Sequence, residues 1–200
     1  NIAEKTIIID YGDGCEDPRG RDRKGKIIIT YTTLLFLPGA EVTITFEDFY
    51  ISGVKIEGIR RIKNISESLE NFIALEVTFE NGKFTWEDGS FATRNAHWIL
   101  KWFKAENPID DEKHLEGSAS GSTKANIEYS VEITEPIVFK RACRPGRIFI
   151  PVQGIKVIVW NGRTKTIDYG DGECDRIVRI TSEDITTQVE LRARLRWRNN

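Results

Sequence analysis

The sequence is poor in the residues that most often carry chemistry, with two histidines, three cysteines and no methionine among 200 residues. It also lacks a long apolar run, and the longest stretches, such as residues 33–37, are too short for a membrane-spanning helix. Neither charge dominates, because 29 basic and 31 acidic side chains leave a formal net charge of −2. The composition therefore predicts a globular protein with no nucleic-acid partner and no transmembrane span.

The absence of methionine extends to position 1, where Asn1 stands. Because a cytosolic product normally begins with methionine, we expect a processed N-terminus from which a signal peptide has been removed. A trimmed chain is the alternative. The first interpretation predicts an extracellular or outer cell-surface location.

The three cysteines are Cys15, Cys143 and Cys174. In a secreted chain we expect one disulfide and one remaining thiol, and three single pairings are open. No C-x-x-C pair occurs, and His97 and His114 are distant from every cysteine in the sequence. Both facts argue against a zinc site, and no cofactor is predicted.

Alternation of apolar and polar residues is the strongest pattern in the chain. Within residues 126–134, one face carries Ile127, Tyr129, Val131 and Ile133, and the other face is polar. This period of two is typical of a strand with one buried and one wet face.

Continuous apolar runs and glycine-containing pairs complete the pattern. Ile7–Ile9 and Lys26–Thr30 predict strands that are covered on both faces. The Asn-Gly or Asp-Gly pairs at 81–82, 88–89 and 161–162 predict two-residue hairpins. The sequence therefore predicts an all-β fold of about a dozen strands, mainly antiparallel, arranged as a sandwich or as two strongly twisted sheets.

The predicted strands fall into two β-rich portions, residues 1–105 and 125–200, which we expect to form one continuous domain. Between them, residues 106–124 contain a proline, an acidic cluster and a run of glycine and serine, and predict a flexible crossing. Residues 93–103 fit either a helix or a tryptophan-rich strand.

The pentapeptide DYGDG occurs twice, at residues 10–14 and 168–172, each time next to a cysteine. Its two glycines suit a tight turn, so each copy predicts a strand–turn–strand unit in which the backbone reverses. Calcium binding is the alternative, with Asp10 and Asp13 in one copy and Asp168 and Asp171 in the other as candidate ligands. The spacing of these carboxylates does not match an EF-hand loop, which favours the turn.

A longer series of landmarks surrounds the two copies. It comprises Thr6–Cys15, Arg23–Tyr31, Phe46–Tyr50, Gly53–Gly58, Ala92–Arg94, Gly117–Gly121, Lys140–Arg144 and Thr164–Asp175. In this order the series resembles a family of secreted or lipid-anchored all-β proteins of Bacteroidetes-type bacteria. The resemblance implies export, attachment at the cell surface or release from it, and no enzymatic role. It also implies a Cys143–Cys174 disulfide, with Cys15 free or paired between molecules.

Motifs for catalysis are missing from the sequence. It contains no G-x-S-x-G, no phosphate-binding glycine loop and no recognisable triad around either histidine. Paired carboxylates such as Glu47–Asp48 occur, but only their separation in space could indicate a glycosidase. We therefore predict a non-enzymatic protein, with a cryptic hydrolase as one alternative.

Tryptophan provides another alternative. Trp98 and Trp102 are the best candidates for exposed rings that stack on sugars, which would make the protein a carbohydrate-binding module. The competing interpretation places both rings in the core.

The C-terminal residues form an arginine stripe, with Arg192, Arg194, Arg196 and Arg198 on one face of a predicted strand. An adjacent strand with an acidic face, such as the one carrying Glu128 and Glu132, could neutralise the stripe. Alternatively, the arginines could bind a neighbouring subunit, an acidic polysaccharide or lipopolysaccharide phosphate. A long alternating strand at the end of the chain could also complete a neighbour's sheet.

These observations predict an exported structural or adhesive surface protein that self-assembles by strand addition or edge pairing. Its predicted partners are other copies of itself, or a surface protein or polysaccharide.

Overall fold

The computed structural model describes residues 4–18, 20–68, 70 and 72–191, and the fold contains thirteen strands and two short 3-10 helices in these residues. The 3-10 helices are Pro108–Asp110 and Arg141–Cys143. The strands are β1 (Thr6–Asp10), β2 (Cys15–Glu16), β3 (Asp22–Tyr31), β4 (Glu41–Ile51), β5 (Val54–Asn64), β6 (Phe72–Thr85), β7 (Phe91–Phe103), β8 (Glu112–Ser122), β9 (Glu128–Lys140), β10 (Gln153–Trp160), β11 (Arg163–Asp171), β12 (Ile177–Ser182) and β13 (Ile185–Glu190).

All thirteen strands belong to one antiparallel sheet in which the chain runs as a meander. The order across the sheet is the order along the chain, from β1 through β3 to β13, and β2 pairs with β3 beside β1. The prediction of an all-β antiparallel fold is confirmed. The expected division into two sheets is not seen in the described residues, because each strand continues the same ladder.

The sheet is amphipathic, since its strands alternate. Across the centre, Leu75 on β6, Leu100 on β7 and Leu115 on β8 lie side by side, and Ile137 on β9 follows them. We call this side the apolar face. The opposite side is the polar face, where Arg61 pairs with Glu80 at 2.6 Å.

The apolar face carries a cluster of buried side chains near the C-terminal strands, and Phe49 on β4 and Ile73 on β6 are also buried. Ile137, Tyr169 and Val178 form a buried cluster that partly buried residues of β8, β9 and β11–β13 surround. In the centre of the sheet, Leu100 and Leu115 are only half-buried. The chain exposes 13,296 Å², whereas a compact monomer of this length exposes about 9,600 Å². A single sheet with partly exposed faces contributes to this excess.

Residues 106–124 do not form the flexible crossing that their composition predicted. They contain a 3-10 turn and the eleven-residue strand β8, which pairs along its length with β7 and β9. Small side chains suit this position, because Gly117 lies directly opposite Trp98 of β7. The same pairing makes residues 93–103 a strand.

The turn predictions had mixed outcomes. Asn161 and Gly162 both have positive φ and join β10 to β11 as a two-residue hairpin, as predicted. Asp88–Gly89 lies in the loop between β6 and β7. Asn81–Gly82 is no hairpin, because it lies inside β6, where the ladder to β7 shifts register.

Candidate functional site

Both DYGDG copies share a hydrogen bond from the first glycine to the first aspartate, and neither copy reverses the chain as predicted. The Oδ1 atom of Asp10 accepts the N–H of Gly12 at 2.8 Å, and Oδ1 of Asp168 accepts the N–H of Gly170 at 2.8 Å. In the first copy the chain continues along the same neighbour, because β1 and β2 both pair with β3. The second copy lies largely within β11. The chain reverses only afterwards, so DYGDG forms a kink along a strand path.

The kinks continue into the neighbouring strands. Gly25 on β3 and Gly154 on β10 lie next to the two copies, both with positive φ and both at register shifts. A Cβ atom would lie 1.9 Å from the Asp48 oxygen at Gly25 and 2.2 Å from the Pro136 oxygen at Gly154. Each copy is therefore part of an irregularity three strands wide that bends the sheet.

Three of the four aspartates proposed as calcium ligands, Asp10, Asp168 and Asp171, accept hydrogen bonds from other groups of the chain. Asp168 accepts hydrogen bonds from Arg179 at 2.7 and 3.0 Å. Burial alone would raise the pKa of Asp168, but the Gly170 N–H and the Arg179 guanidinium outweigh it and lower that pKa. Asp171 accepts the N–H of Glu173 at 3.4 Å. Within the part of the chain that the structure describes, no three His, Cys, Asp or Glu side chains group as a metal site would require.

The tyrosine of each copy packs on the sheet. Tyr169 belongs to the buried cluster at 9% exposure. Tyr11 accepts a hydrogen bond from Arg23 at 2.9 Å, and its ring centroid lies 5.7 Å from that of the buried Phe49. The repeat therefore anchors an aromatic ring beside each kink.

The disulfide joins Cys143 to Cys174, as the resemblance implied, and Cys15 is exposed and free. Cys143 ends the second 3-10 helix and is buried. Cys174 follows the second DYGDG copy, so the bond ties the 141–150 loop to the turn after β11.

The edge strand β1 differs most from its predicted environment. Ile7, Ile8 and Ile9 were expected to be covered on both faces, but they are 50%, 58% and 38% exposed. β1 pairs only with β3 and begins the strand order. A continuous apolar run indicates a strand but cannot distinguish a central strand from an edge.

The tryptophans named as candidate sugar platforms lie on the apolar face of β7. Trp98 and Trp102 are both half-buried, and the indole N–H of Trp102 donates to Asp111 at 3.2 Å. His97 lies on the other face and contacts Glu76 at 2.9 Å. The arginine stripe lies outside the described residues, so the prediction for Arg192, Arg194, Arg196 and Arg198 stays a prediction.

A group that the sequence did not single out surrounds Trp102. Asp111 precedes Arg144 by 33 residues and Phe149 by 38, yet all three line one pocket with Trp102. The backbone N–H of Arg141 donates to the Asp111 carbonyl at 3.0 Å, and this contact joins the two segments. Only long-range pairing creates this contact, so no local sequence pattern indicates it.

No protein family, curated protein or solved structure matches this chain. None of the helices in the described residues has the length and apolar character needed to cross a membrane.

Proposed function

We propose that this chain is a non-enzymatic, exported surface protein with a structural or adhesive role, and that copies assemble by pairing at the edge strand β1. The observation that carries the proposal is the exposure of three consecutive isoleucines on an edge strand with one paired side. Natural edge strands usually carry charge, proline or a bulge that prevents association. The three isoleucines of β1 offer none of these protections, and the charged residue of the strand, Asp10, lies at its end.

The backbone of β1 also offers hydrogen bonds to a partner. The carbonyl of Lys5 and the N–H of Tyr11 both bond to β3. Because successive residues alternate in direction, Ile7 and Ile9 also face β3, whereas Ile8 and Asp10 direct their N–H and C=O groups away from it. The described residues provide no backbone partner on that outer side, so an added strand would satisfy these groups.

The apolar gain on pairing is large enough to matter. The exposed parts of Ile7, Ile8 and Ile9 together equal about one and a half isoleucine residues, and covering them completely contributes at most about 2–4 kcal/mol per protomer. The half-buried apolar face adds further surface next to the edge. The disulfide supports export, because such bonds persist in oxidising compartments.

The experiment compares the mass of the native chain with that of Ile8→Lys by light scattering after size exclusion over a range of concentrations. We expect a mass above that of the monomer for the native chain and at least about tenfold weaker association for Ile8→Lys, because the edge gains a charge and loses apolar area. The control is Val159→Lys. Val159 lies on the polar face, as Ile8 does, and is 39% exposed, but it belongs to the interior strand β10.

Val159→Lys should associate as the native chain does. A native chain that stays monomeric at every concentration would contradict the proposal, and so would equal weakening by both substitutions.

A further inference from the structure

One pocket of about 280 Å³ carries a charge opposite to that of the whole chain. It lies between the 141–150 loop and the ends of β7, β8 and β9. Four basic side chains line it, namely Lys113, Lys140, Arg141 and Arg144, against the single carboxylate of Asp111. We call it the basic pocket. In a chain of net charge −2, this local excess of three positive charges favours an anion.

The carboxylate of Asp111 in the basic pocket already has partners within the chain. Asp111 is 8% exposed and accepts hydrogen bonds from the Trp102 indole at 3.2 Å and the Ala105 N–H at 3.1 Å. Its Oδ2 also lies 3.5 Å from Arg141. The Ala105 N–H holds the pKa of Asp111 below its ordinary value despite burial, with the Trp102 indole and Arg141 adding to the effect. Asp111 therefore holds the pocket wall in place, and these partners already balance its negative charge.

Two cations of the basic pocket remain available. Lys140 donates to the Gly172 carbonyl at 2.8 Å, and Arg141 is engaged by Asp111. In contrast, Lys113 and Arg144 form no ion pair with any carboxylate of the described residues. The Nζ atom of Lys113 lies over the Trp102 ring, 5.3 Å from its centroid. Their charges are therefore free to pair with an anionic ligand.

The rest of the lining is apolar and partly aromatic. Phe149 is 57% exposed at the pocket, and Ile148 and Ile150 flank it in the chain and also line the pocket. An exposed ring next to cations suits a ligand that has a flat C–H surface as well as a negative charge. The volume is at the lower limit of small-molecule pockets, about 300 Å³, and is suited to a single ring.

The loop that carries these groups is held in place. Arg141 and Arg144 flank the buried Cys143, whose disulfide to Cys174 joins the loop to the turn after β11. A loop fixed in this way keeps its cations and Phe149 in position before a ligand binds, which reduces the entropy lost on binding.

From these observations we propose that the basic pocket binds one hexuronate ring of an acidic polysaccharide. Arg144 and Lys113 pair with the sugar carboxylate, and Phe149 stacks on the C–H face of the ring. Neither the edge strand nor self-assembly is needed for this activity, so the proposal goes beyond the function proposed above and does not rest on it.

The test is titration calorimetry with trigalacturonate, its fully methyl-esterified form and inorganic phosphate as separate ligands. We expect trigalacturonate to bind, and the ester, which keeps the rings but loses the charge, to bind at least tenfold more weakly. Added NaCl should weaken trigalacturonate binding, because the recognition is electrostatic.

Variants locate the site. Arg144→Gln, Lys113→Gln and Phe149→Ala should each weaken trigalacturonate binding by about tenfold. These three side chains are exposed, so their loss should not prevent folding, and circular dichroism checks this. The matched control is Arg60→Gln, which removes an exposed arginine of β5, far along the sheet, and should bind as the native chain does.

Three results would overturn the proposal: no binding of trigalacturonate, equal binding of the acid and the ester, or equal loss in Arg60→Gln and the pocket variants. Phosphate binding as tight as that of trigalacturonate would also overturn it, because the pocket would then recognise charge without the sugar. Ile8→Lys should bind normally, which separates this proposal from that of assembly at β1.

Discussion

Removal of the disulfide is expected to destabilise the chain by about 3.7 kcal/mol, a magnitude set by the loop that it closes. Cys143 and Cys174 are 31 residues apart in sequence. In the chain-entropy model, a loop of this length restricts the unfolded chain by about 12 cal/mol/K, which gives about 3.7 kcal/mol at 25 °C. The perturbation is the double variant Cys143→Ala and Cys174→Ala.

The assay is urea unfolding followed by far-UV circular dichroism, at a concentration where the chain is monomeric. Both proteins should carry Cys15→Ala, because the exposed thiol of Cys15 could exchange with the disulfide. With a urea dependence of about 2 kcal/mol/M, the midpoint should fall by about 2 M. A midpoint that moves by less than about 0.3 M would refute the reasoning, since it would mean that the loop is already constrained without the bond.

Two further predictions concern the C-terminal half of the sheet. Val178→Ala should cost about 2 kcal/mol in urea unfolding, because Val178 is 1% exposed and packs with Ile137 and Tyr169; a loss below about 0.5 kcal/mol would show that this cluster is not a core. Asp168 has a lowered pKa, so its ion pair with Arg179 stabilises the fold above the unfolded pKa of about 4 and is lost as the pH falls through the folded value. Asp168→Asn should therefore flatten the dependence of the urea midpoint on pH between 2 and 5, and an unchanged dependence would contradict this assignment.

Local pattern predicted the strands well. The alternation at residues 126–134 corresponds to β9, and the Asn161–Gly162 pair is the hairpin that it predicted. Both signals depend on neighbouring residues alone, so they can be recognised in the sequence. The number of sheets depends on which strand faces pack against each other. The alternation within one strand does not indicate what covers either of its faces.

The errors have the same origin. Asp-Gly pairs serve kinks as well as turns, so DYGDG alone could not indicate that Asp10 and Asp168 lie where a strand bends without reversing. The glycine and serine of β8 resemble a linker until β7 and β9 are known to flank it. The exposed position of β1 follows from its place at the start of the meander.

The basic pocket could not be predicted, because its members come from separate strands and one loop. The sequence indicates Trp102 as a candidate stacking ring, but it does not indicate that Asp111 and Phe149 line the same pocket. Their proximity depends on the β7–β8 ladder and on the Arg141–Asp111 backbone contact, neither of which has a local sequence signature.

The most direct test of assembly at β1 is amide hydrogen exchange resolved by residue, at low and at high protein concentration. Ile7 and Ile9 face β3 and should be protected at both concentrations. Ile8 and Asp10 face outward, so their amides should exchange rapidly at low concentration and become protected at high concentration, as a second strand pairs there. Rapid exchange at Ile8 and Asp10 at every concentration would contradict the account.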